Sequence, residues 1–260
     1  MQSLLCLKGQ NMECILYGII GICGIIFGSF LNVCIYRIPN KDDIVSRSHC
    51  MKCGYPLAWY DLIPIISYFF LKGRCRKCEE PISVQYPLVE ALNGVLWVVI
   101  FHYYGFQLKS ILYCVLISIL IVISIIDFQT YEIPPVLNGL IGVLGIIQVI
   151  LDRDNWLNYV IGFFSVSIFL LILYYASKGK AIGGGDVKLM AVTGFLLGWK
   201  LVLFAFTAGC LLGSILHSIR MKVSGEGKML AMGPYLAGGI LCALLFGNQL
   251  IHWYLSMCLS

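Results

Sequence analysis

Eight long apolar segments constrain the fold of this chain more than any other feature. A helix needs about 20 mostly apolar residues to cross the hydrocarbon region of a bilayer. The segments cover residues 15–36, 86–104, 108–126, 134–151, 157–176, 187–197, 201–219 and 230–254. Only 12% of the 260 residues are charged, against about 25% in soluble domains. The sequence therefore predicts an all-α polytopic membrane protein with about eight transmembrane helices.

The sixth segment, 187–197, is too short to cross a bilayer alone. We expect it to be extended by the residues around Asp186 or shielded by neighbouring helices.

Lysine and arginine are unevenly distributed between the two sides of the predicted bundle. With the amino terminus outside, 14 of the 18 basic residues fall on one side, and the other four are Lys8, Lys109, Arg153 and Lys200. The basic side of a membrane protein is the cytoplasmic side. This asymmetry accounts for the net charge of +5, and no nucleic-acid-binding motif is present, so nucleic acid is not an expected partner.

One long polar segment interrupts the apolar pattern. It divides the chain into an amino-terminal part with the first helix (1–36), a cytoplasmic loop domain (37–85) and a multi-helix membrane domain (86–260). The loop domain contains two CxxC pairs about 20 residues apart, which is the spacing of a zinc ribbon. These cysteines are Cys50, Cys53, Cys75 and Cys78.

Four thiolates from two such pairs suit a closed tetrahedral zinc site without a position for water, which makes the expected zinc structural. A loop of about 50 residues buries little apolar surface, so a metal would supply much of its folding energy. The alternatives are four reduced thiols or two disulfides, and a cytoplasmic location argues against disulfides.

Two acidic residues adjoin apolar segments, where a carboxylate costs about 2.5–3.5 kcal/mol to insert. Asp127 ends the third segment, and Asp186 precedes the sixth. In the predicted topology both lie at the cytoplasmic side and at matching depth. Two neighbouring carboxylates share a proton, so one can activate water while the other donates a proton.

The residues beside Asp186 suggest an active-site loop. Gly183 and Gly185 place no side chain near the carboxylate and would let the backbone approach a substrate closely. Lys188 follows Asp186 by two residues and is a further candidate for this loop. From the residues alone, an aspartic protease and an ion or proton relay both remain open.

The complete pattern resembles the type IV prepilin peptidases, which are membrane aspartic proteases of the GxGD type. The resemblance extends over nearly the whole chain. It rests on the paired CxxC motifs and on five segments: 27–39 (FGSFLNVCIYRIP), 62–68 (LIPIISY), 82–90 (ISVQYPLVE), 126–134 (IDFQTYEIP) and 183–188 (GGGDVK).

The resemblance implies that Asp127 and Asp186 are the two catalytic aspartates. It also implies that the substrates are prepilins or pseudopilins, cleaved after a glycine at the cytoplasmic face of the bacterial plasma membrane. Many members then methylate the new amino terminus with S-adenosylmethionine. The residues that would bind this methyl donor are not identified by the sequence, although Asp42, Asp43, Asp61 and Glu90 are acidic candidates for which ordinary solvated charge is the simpler interpretation.

The chain departs from the family pattern at two places. Pro135 replaces a common acidic residue, and residues 232–235 (MGPY) are a loose version of a late proline-rich segment. We expect neither to contact the aspartates. Two other classes of protein compete with the peptidase: a transporter or channel, which leaves the cysteine loop unexplained, and an inactive assembly scaffold, which leaves the aspartates without a role.

Overall fold

The computed structural model describes residues 2–180, 182–224 and 230–258. The predicted membrane domain, 86–260, therefore includes residues 181, 225–229 and 259–260 that lie outside the described part. By the density of contacts the chain divides into two compact units, one ending at Ser118 and the other beginning at Ile119.

The first unit is built on two long helices. Helix α1 (Gln2–Asn40) and helix α3 (Gln85–Tyr104) flank a loop region that contains a 3₁₀ turn (Trp59–Leu62) and the short helix α2 (Ile66–Phe70). Helix α4 (Leu108–Thr130) begins in this unit and ends in the second.

Small residues let α1 and α3 approach closely. A Cβ atom on Gly24 would lie 2.8 Å from the Cα atom of Gly94, and one on Gly28 would lie 2.6 Å from the Cα atom of Glu90. The buried amide of Asn93 donates a hydrogen bond to the Gly24 carbonyl at 2.7 Å. Close packing of glycines with hydrogen bonds between helices is typical of membrane proteins.

Arg37 holds the start of the loop domain against the end of α1. Its guanidinium donates hydrogen bonds of 2.8–2.9 Å to the carbonyls of Asp43, Ile44 and Ser46, and a longer one to Arg47. The side chain is buried, so its charge is balanced by backbone dipoles and has a structural role beyond membrane orientation.

In the described part of the second unit, the end of α4 is followed by six further helices. They are α5 (Pro135–Leu151), α6 (Trp156–Ala176), α7 (Gly184–Leu197), α8 (Trp199–Ser224), α9 (Gly233–Cys242) and α10 (Asn248–Cys258), with a π-helical segment at Ala243–Gly247 between the last two. Helices α6 and α7 come into backbone contact, since a Cβ atom on Gly162 would lie 2.2 Å from the Gly194 carbonyl oxygen.

The structure confirms the predicted fold class. Each of the eight apolar segments lies mostly on helix, and the described residues contain no β-strand, only two isolated bridges. Within the described ranges six helices are long and apolar enough to span a membrane, and α5 is a shorter apolar helix of 17 residues. The protein is therefore a multi-pass membrane protein.

Helix α7 remains too short to cross a bilayer, as its sequence indicated. It begins at Gly184 and has 14 residues, which rise about 21 Å, less than the roughly 30 Å hydrocarbon core. Helix α4 extends four residues beyond the predicted end, so Asp127 lies within its last turn.

Candidate active site and cysteine cluster

Asp127 is buried in the last turn of α4, where only 5% of the residue is exposed. Its Oδ2 atom accepts a hydrogen bond of 2.8 Å from the backbone N–H of Gly233, 106 residues later in the chain. Gly233 opens α9, with Pro234 directly after it in the first turn. The first residue of a helix has a free N–H group, which is here directed at a carboxylate.

Asp186 lies in the first turn of α7 and is 8% exposed. A Cβ atom on Gly183 would lie 3.0 Å from the Oδ2 atom of Asp186, so the glycine leaves room for the carboxylate. The Oδ1 atom is buried, and within the described chain nothing hydrogen-bonds to it. An acidic side chain in the first helical turn is favoured by the helix dipole.

Ile133 and Asn138 connect the two acidic segments. A Cβ atom on Gly185 would lie 2.9 Å from the Cβ atom of Ile133, just beyond α4, and the Asn138 amide donates to the Gly185 carbonyl at 3.5 Å. Asp127 and Asp186 interact electrostatically. The structure therefore brings the two carboxylates together in one unit. Asp127 accepts a hydrogen bond from Gly233, and Asp186, which also interacts with the backbone of Gly183, keeps one acceptor atom free among the described residues.

The candidate loop residues occupy different positions around Asp186. Gly183 precedes the helix with an ordinary extended backbone (φ −72°), and Gly185 is helical. Neither glycine has an unusual backbone angle. A side chain at Gly183 would crowd the Asp186 carboxylate, and one at Gly185 would crowd Ile133, which explains why both positions suit glycine. Lys188 is exposed on α7, whereas Asp186 two residues before it is buried.

The four cysteines of the loop domain form one cluster, with their sulfur atoms all within 4.8 Å of one another. The sulfurs of Cys50 and Cys78 are 3.7 Å apart. Tetrahedral zinc with Zn–S bonds of about 2.3 Å requires sulfur–sulfur distances of about 3.8 Å. The cluster could therefore hold a metal ion of this size.

The two CxxC turns have the same local structure. The N–H of Cys50 donates to Tyr55 at 2.9 Å, and that of Cys75 donates to Glu80 at 2.8 Å. Backbone N–H groups of Cys53 and Lys52 point at the first sulfur and lower the pKa of the Cys50 thiol to about 6. A thiol with a low pKa is present as the thiolate that binds metals.

Two ion pairs hold the CxxC turns in place, one between the two turns and one to the rest of the loop domain. Lys52 pairs with Glu80 across the two CxxC motifs, and this contact raises the pKa of the lysine. Arg76 donates two hydrogen bonds to the Oδ1 atom of Asp61, at 2.7 and 3.1 Å, which raise the pKa of the guanidinium.

The expectation that residues 232–235 are remote from the aspartates is wrong, because the N–H of Gly233 contacts Asp127 directly. The sequence did carry a signal, since this segment was recognised as a variant of a family motif. Asn138 was missed altogether, and an isolated asparagine in an apolar segment gives no indication of its contact with Gly185.

Comparison with known proteins places both units in one family. The family model described as "Bacterial Peptidase A24 N-terminal domain" matches residues 22–104, and "Type IV leader peptidase family" matches residues 114–218. No solved structure matches the chain.

Three similar proteins are each named prepilin leader peptidase/N-methyltransferase. The protein of Bacillus subtilis (strain 168) is 32% identical, over 93% of this chain and 99% of its own length. The protein of Aeromonas hydrophila is 30% identical, over 98% of this chain and 99% of its own length. The protein of Myxococcus xanthus (strain DK1622) is 35% identical over 79% of this chain, and the match covers 63% of the Myxococcus protein. On these matches, and with a buried aspartate pair and a four-cysteine cluster in the structure, the chain belongs to the type IV leader peptidase family.

Proposed function

We propose that this protein is a membrane aspartic endopeptidase that removes the leader peptide of prepilins or pseudopilins after a glycine. The observation that carries the proposal is the pair of buried, interacting carboxylates of Asp127 and Asp186. The relatives' names support the choice of substrate class.

In this mechanism the scissile peptide bond enters between the two carboxylates. The ionised carboxylate takes a proton from water as the water oxygen bonds to the carbonyl carbon. The protonated carboxyl gives its proton to the carbonyl oxygen. Collapse of the tetrahedral intermediate then breaks the C–N bond. The carboxyl that took the water proton gives it to the leaving amine, and the other carboxylate takes back a proton from one hydroxyl as the new C=O bond forms, which resets the pair.

The hydrogen bonds favour one assignment of these roles. The Gly233 N–H stabilises negative charge on Asp127, so Asp127 is the carboxylate that activates water. The unpartnered Oδ1 of Asp186 favours the proton-bearing form and is free to reach a substrate carbonyl. Because the two groups interact, they titrate as a pair. Gly183 and Gly185 would leave room for the substrate backbone, and Lys188 would lie at the surface beside it.

A second activity, N-methylation of the new amino terminus, follows from the family. The relatives' names include an N-methyltransferase, which supports S-adenosylmethionine as the methyl donor of this protein. We assign the peptidase to the membrane domain (86–260) and the methyltransferase to the loop domain (37–85).

The cysteine cluster supports a structural zinc ion held by Cys50, Cys53, Cys75 and Cys78. The short sulfur distances are what a tetrahedral four-sulfur zinc site requires. Zinc supplies folding energy here, because four sulfurs leave no position for water or substrate.

The proposed location is the bacterial plasma membrane, with lipid around the helices and the active site open to the cytoplasm. Fourteen of the 18 basic residues on one side of the predicted bundle support this orientation. A prepilin would then present its leader at the cytoplasmic surface and its apolar segment within the bilayer.

The test replaces each aspartate with asparagine in purified, membrane-inserted protein. Asp127→Asn and Asp186→Asn should each lower the rate of prepilin cleavage by about 10² or more, since each removes one proton-transfer group. The masses and new amino termini of the products give the readout. Lys188→Gln, a substitution at the surface of the same helix, shows whether loss of charge on α7 is itself harmful.

The outcome separates the peptidase from its competitors. Near wild-type cleavage by either variant would exclude the aspartic mechanism. A wild-type protein that moves ions in liposomes and leaves prepilin intact would identify a transporter. A wild-type protein that binds prepilin without cutting it would identify a scaffold.

A further inference from the structure

A cavity of about 540 Å³ lies within the first unit, outside the aspartate pair. Its volume falls within the range of about 300–1,000 Å³ that is usual for small-molecule sites. The end of α1, the two CxxC turns, α2 and the start of α3 enclose it, and both Cys50 and Cys75 contribute to its wall. The cysteine cluster is therefore part of the cavity wall.

Hydrogen-bond acceptors without partners line this cavity. The Oδ1 atom of Asn32 and the Oδ2 atom of Asp61 are both buried, and in the described part of the chain neither accepts a hydrogen bond. Asn32 is 3% exposed. Buried acceptors without donors cost free energy, so a ligand with N–H or O–H groups would be stabilised here.

Glu90 adds a buried carboxyl group. It is 6% exposed and lines the cavity from α3, and its Oε2 atom accepts a hydrogen bond of 2.7 Å from the N–H of Ile65. Ile65 has φ of +61°, an uncommon conformation for a β-branched residue, which the contact with Glu90 helps to maintain. No ion pair to Glu90 occurs among the described residues.

The basic residues around the cavity are already engaged. Arg76 pairs with Asp61 and Lys52 pairs with Glu80, while Arg37 donates to backbone carbonyls. Among the described residues none of these three basic groups pairs with Glu90, so a cationic ligand would stabilise its ionised form.

Three tyrosines complete the lining, namely Tyr36, Tyr68 and Tyr86. Tyrosine rings stack on nucleobases and attract cations over their faces. A ligand that fits all these features combines an aromatic base, several hydrogen-bond donors and positive charge.

We propose that this cavity binds S-adenosylmethionine, with Glu90 holding positive charge and Asn32 and Asp61 accepting hydrogen bonds from the ligand. The inference rests on the proposed methyltransferase function and assigns its donor site. A free peptide amine shares the positive charge and the N–H donors, but it has no aromatic base to stack on the tyrosines. Asp42 and Asp43, the other acidic candidates, are exposed and do not line the cavity.

The test measures binding of S-adenosylmethionine to zinc-loaded, full-length protein in nanodiscs by calorimetry, in the absence of pilin. Glu90→Gln should weaken binding roughly tenfold or more, because it removes a buried charged partner and keeps the shape. Asp42→Asn is the matched control and should bind like the wild type. Zinc content and thermal unfolding show that each variant is folded.

A second variant tests the cavity independently of Glu90. Val33 lines the cavity, so Val33→Trp should fill it and abolish binding, whereas Val45→Trp places the same side chain at a position that is 91% exposed. Photocrosslinked S-adenosylmethionine should label peptides from residues 29–37 or 81–90.

Wild-type affinity in both Glu90→Gln and Val33→Trp would overturn the site assignment, even if the protein methylates pilin. Labelling confined to residues 119–260, or binding of a pilin amino-terminal peptide alone at the cavity with no binding of S-adenosylmethionine, would do so as well. Donor binding that both variants abolish, in a protein that never methylates pilin, would support the site and reject the methyltransferase function.

Discussion

Gly233 shows how a residue without a side chain can control a carboxylate. A Cβ atom at this position would lie 2.8 Å from the Oδ2 atom of Asp127 and 3.0 Å from its Cβ atom. Either α9 or the aspartate would have to move, and the hydrogen bond from the Gly233 N–H would be lost. Gly233 is thus a positioning residue for the proposed catalytic pair.

Gly233→Ala should therefore lower prepilin cleavage about tenfold or more, the effect expected when one charge-assisted hydrogen bond is lost. Cleavage rates of wild type and variant, measured at equal zinc content, give the comparison. Gly139→Ala is the control, because a Cβ atom there meets no described atom within 4 Å. An unchanged rate in Gly233→Ala would show that Asp127 does not depend on this contact.

Sequence locates the acids and cysteines better than their partners. Asp127, Asp186 and the four cysteines are conspicuous because their residue types are costly in apolar segments or repeat at a metal-binding spacing. The Gly233 contact is made by a backbone N–H from 106 residues away, and any residue type has such a group. The motif around Gly233 was visible, whereas its proximity to Asp127 depends on how α9 packs.

At the level of elements, the position of α7 depends on its backbone contact with α6. A Cβ atom on Gly194 would lie 2.1 Å from the Gly162 carbonyl oxygen. Neither backbone can give way without moving its helix, and α7 carries Asp186.

Gly194→Ala should accordingly destabilise the protein by about 1–3 kcal/mol, the usual cost of overpacking. The free energy of unfolding of each variant is measured by denaturation in mixed detergent. Gly142→Ala on α5 is the matched control, since the nearest atom to its added Cβ, on Val192 of α7, is at an ordinary 3.6 Å. Equal stability of the two variants would show that α6 and α7 separate without cost.

The CxxC turns should depend on the proposed zinc ion, because a loop of about 50 residues buries little apolar surface. Replacing Cys50 and Cys75 with serine should remove the roughly one zinc ion per chain and expose the loop to protease, since structural zinc supplies on the order of 10 kcal/mol. Metal analysis and limited proteolysis give the readout. Cys23→Ser, at an exposed and isolated cysteine, should change neither. A zinc-free preparation with a protease-resistant loop would contradict this role.

The lengths of the apolar segments predicted the positions of the helices closely, and the differences at helix ends have local causes. Helix α4 continues to Thr130 because polar residues can extend a helix beyond its apolar segment. The last apolar segment begins as helix only at Gly233, where Pro234 fits the first turn, and it contains a π-helical segment that no periodicity in the sequence indicates.

At the scale of the whole molecule, the proposed chemistries divide between the two units. The carboxylates lie in the second unit, whereas the cysteine cluster and the cavity lie in the first. A peptidase dyad needs a site near the membrane surface, and a soluble methyl donor needs a polar pocket. Cleavage and methylation should therefore be separable by mutation.

Asp186→Asn should fail to cleave prepilin and should still methylate a pre-cleaved pilin, because the substitution leaves the loop domain unaltered. Cys50→Ser should lose methyl transfer at least as severely as cleavage, since Cys50 is part of both the cysteine cluster and the cavity wall. Labelled S-adenosylmethionine and the pre-cleaved pilin measure the second step without the first. If folded Asp186→Asn cannot methylate that substrate, the two steps share the aspartate site and the division of chemistry between the units is wrong.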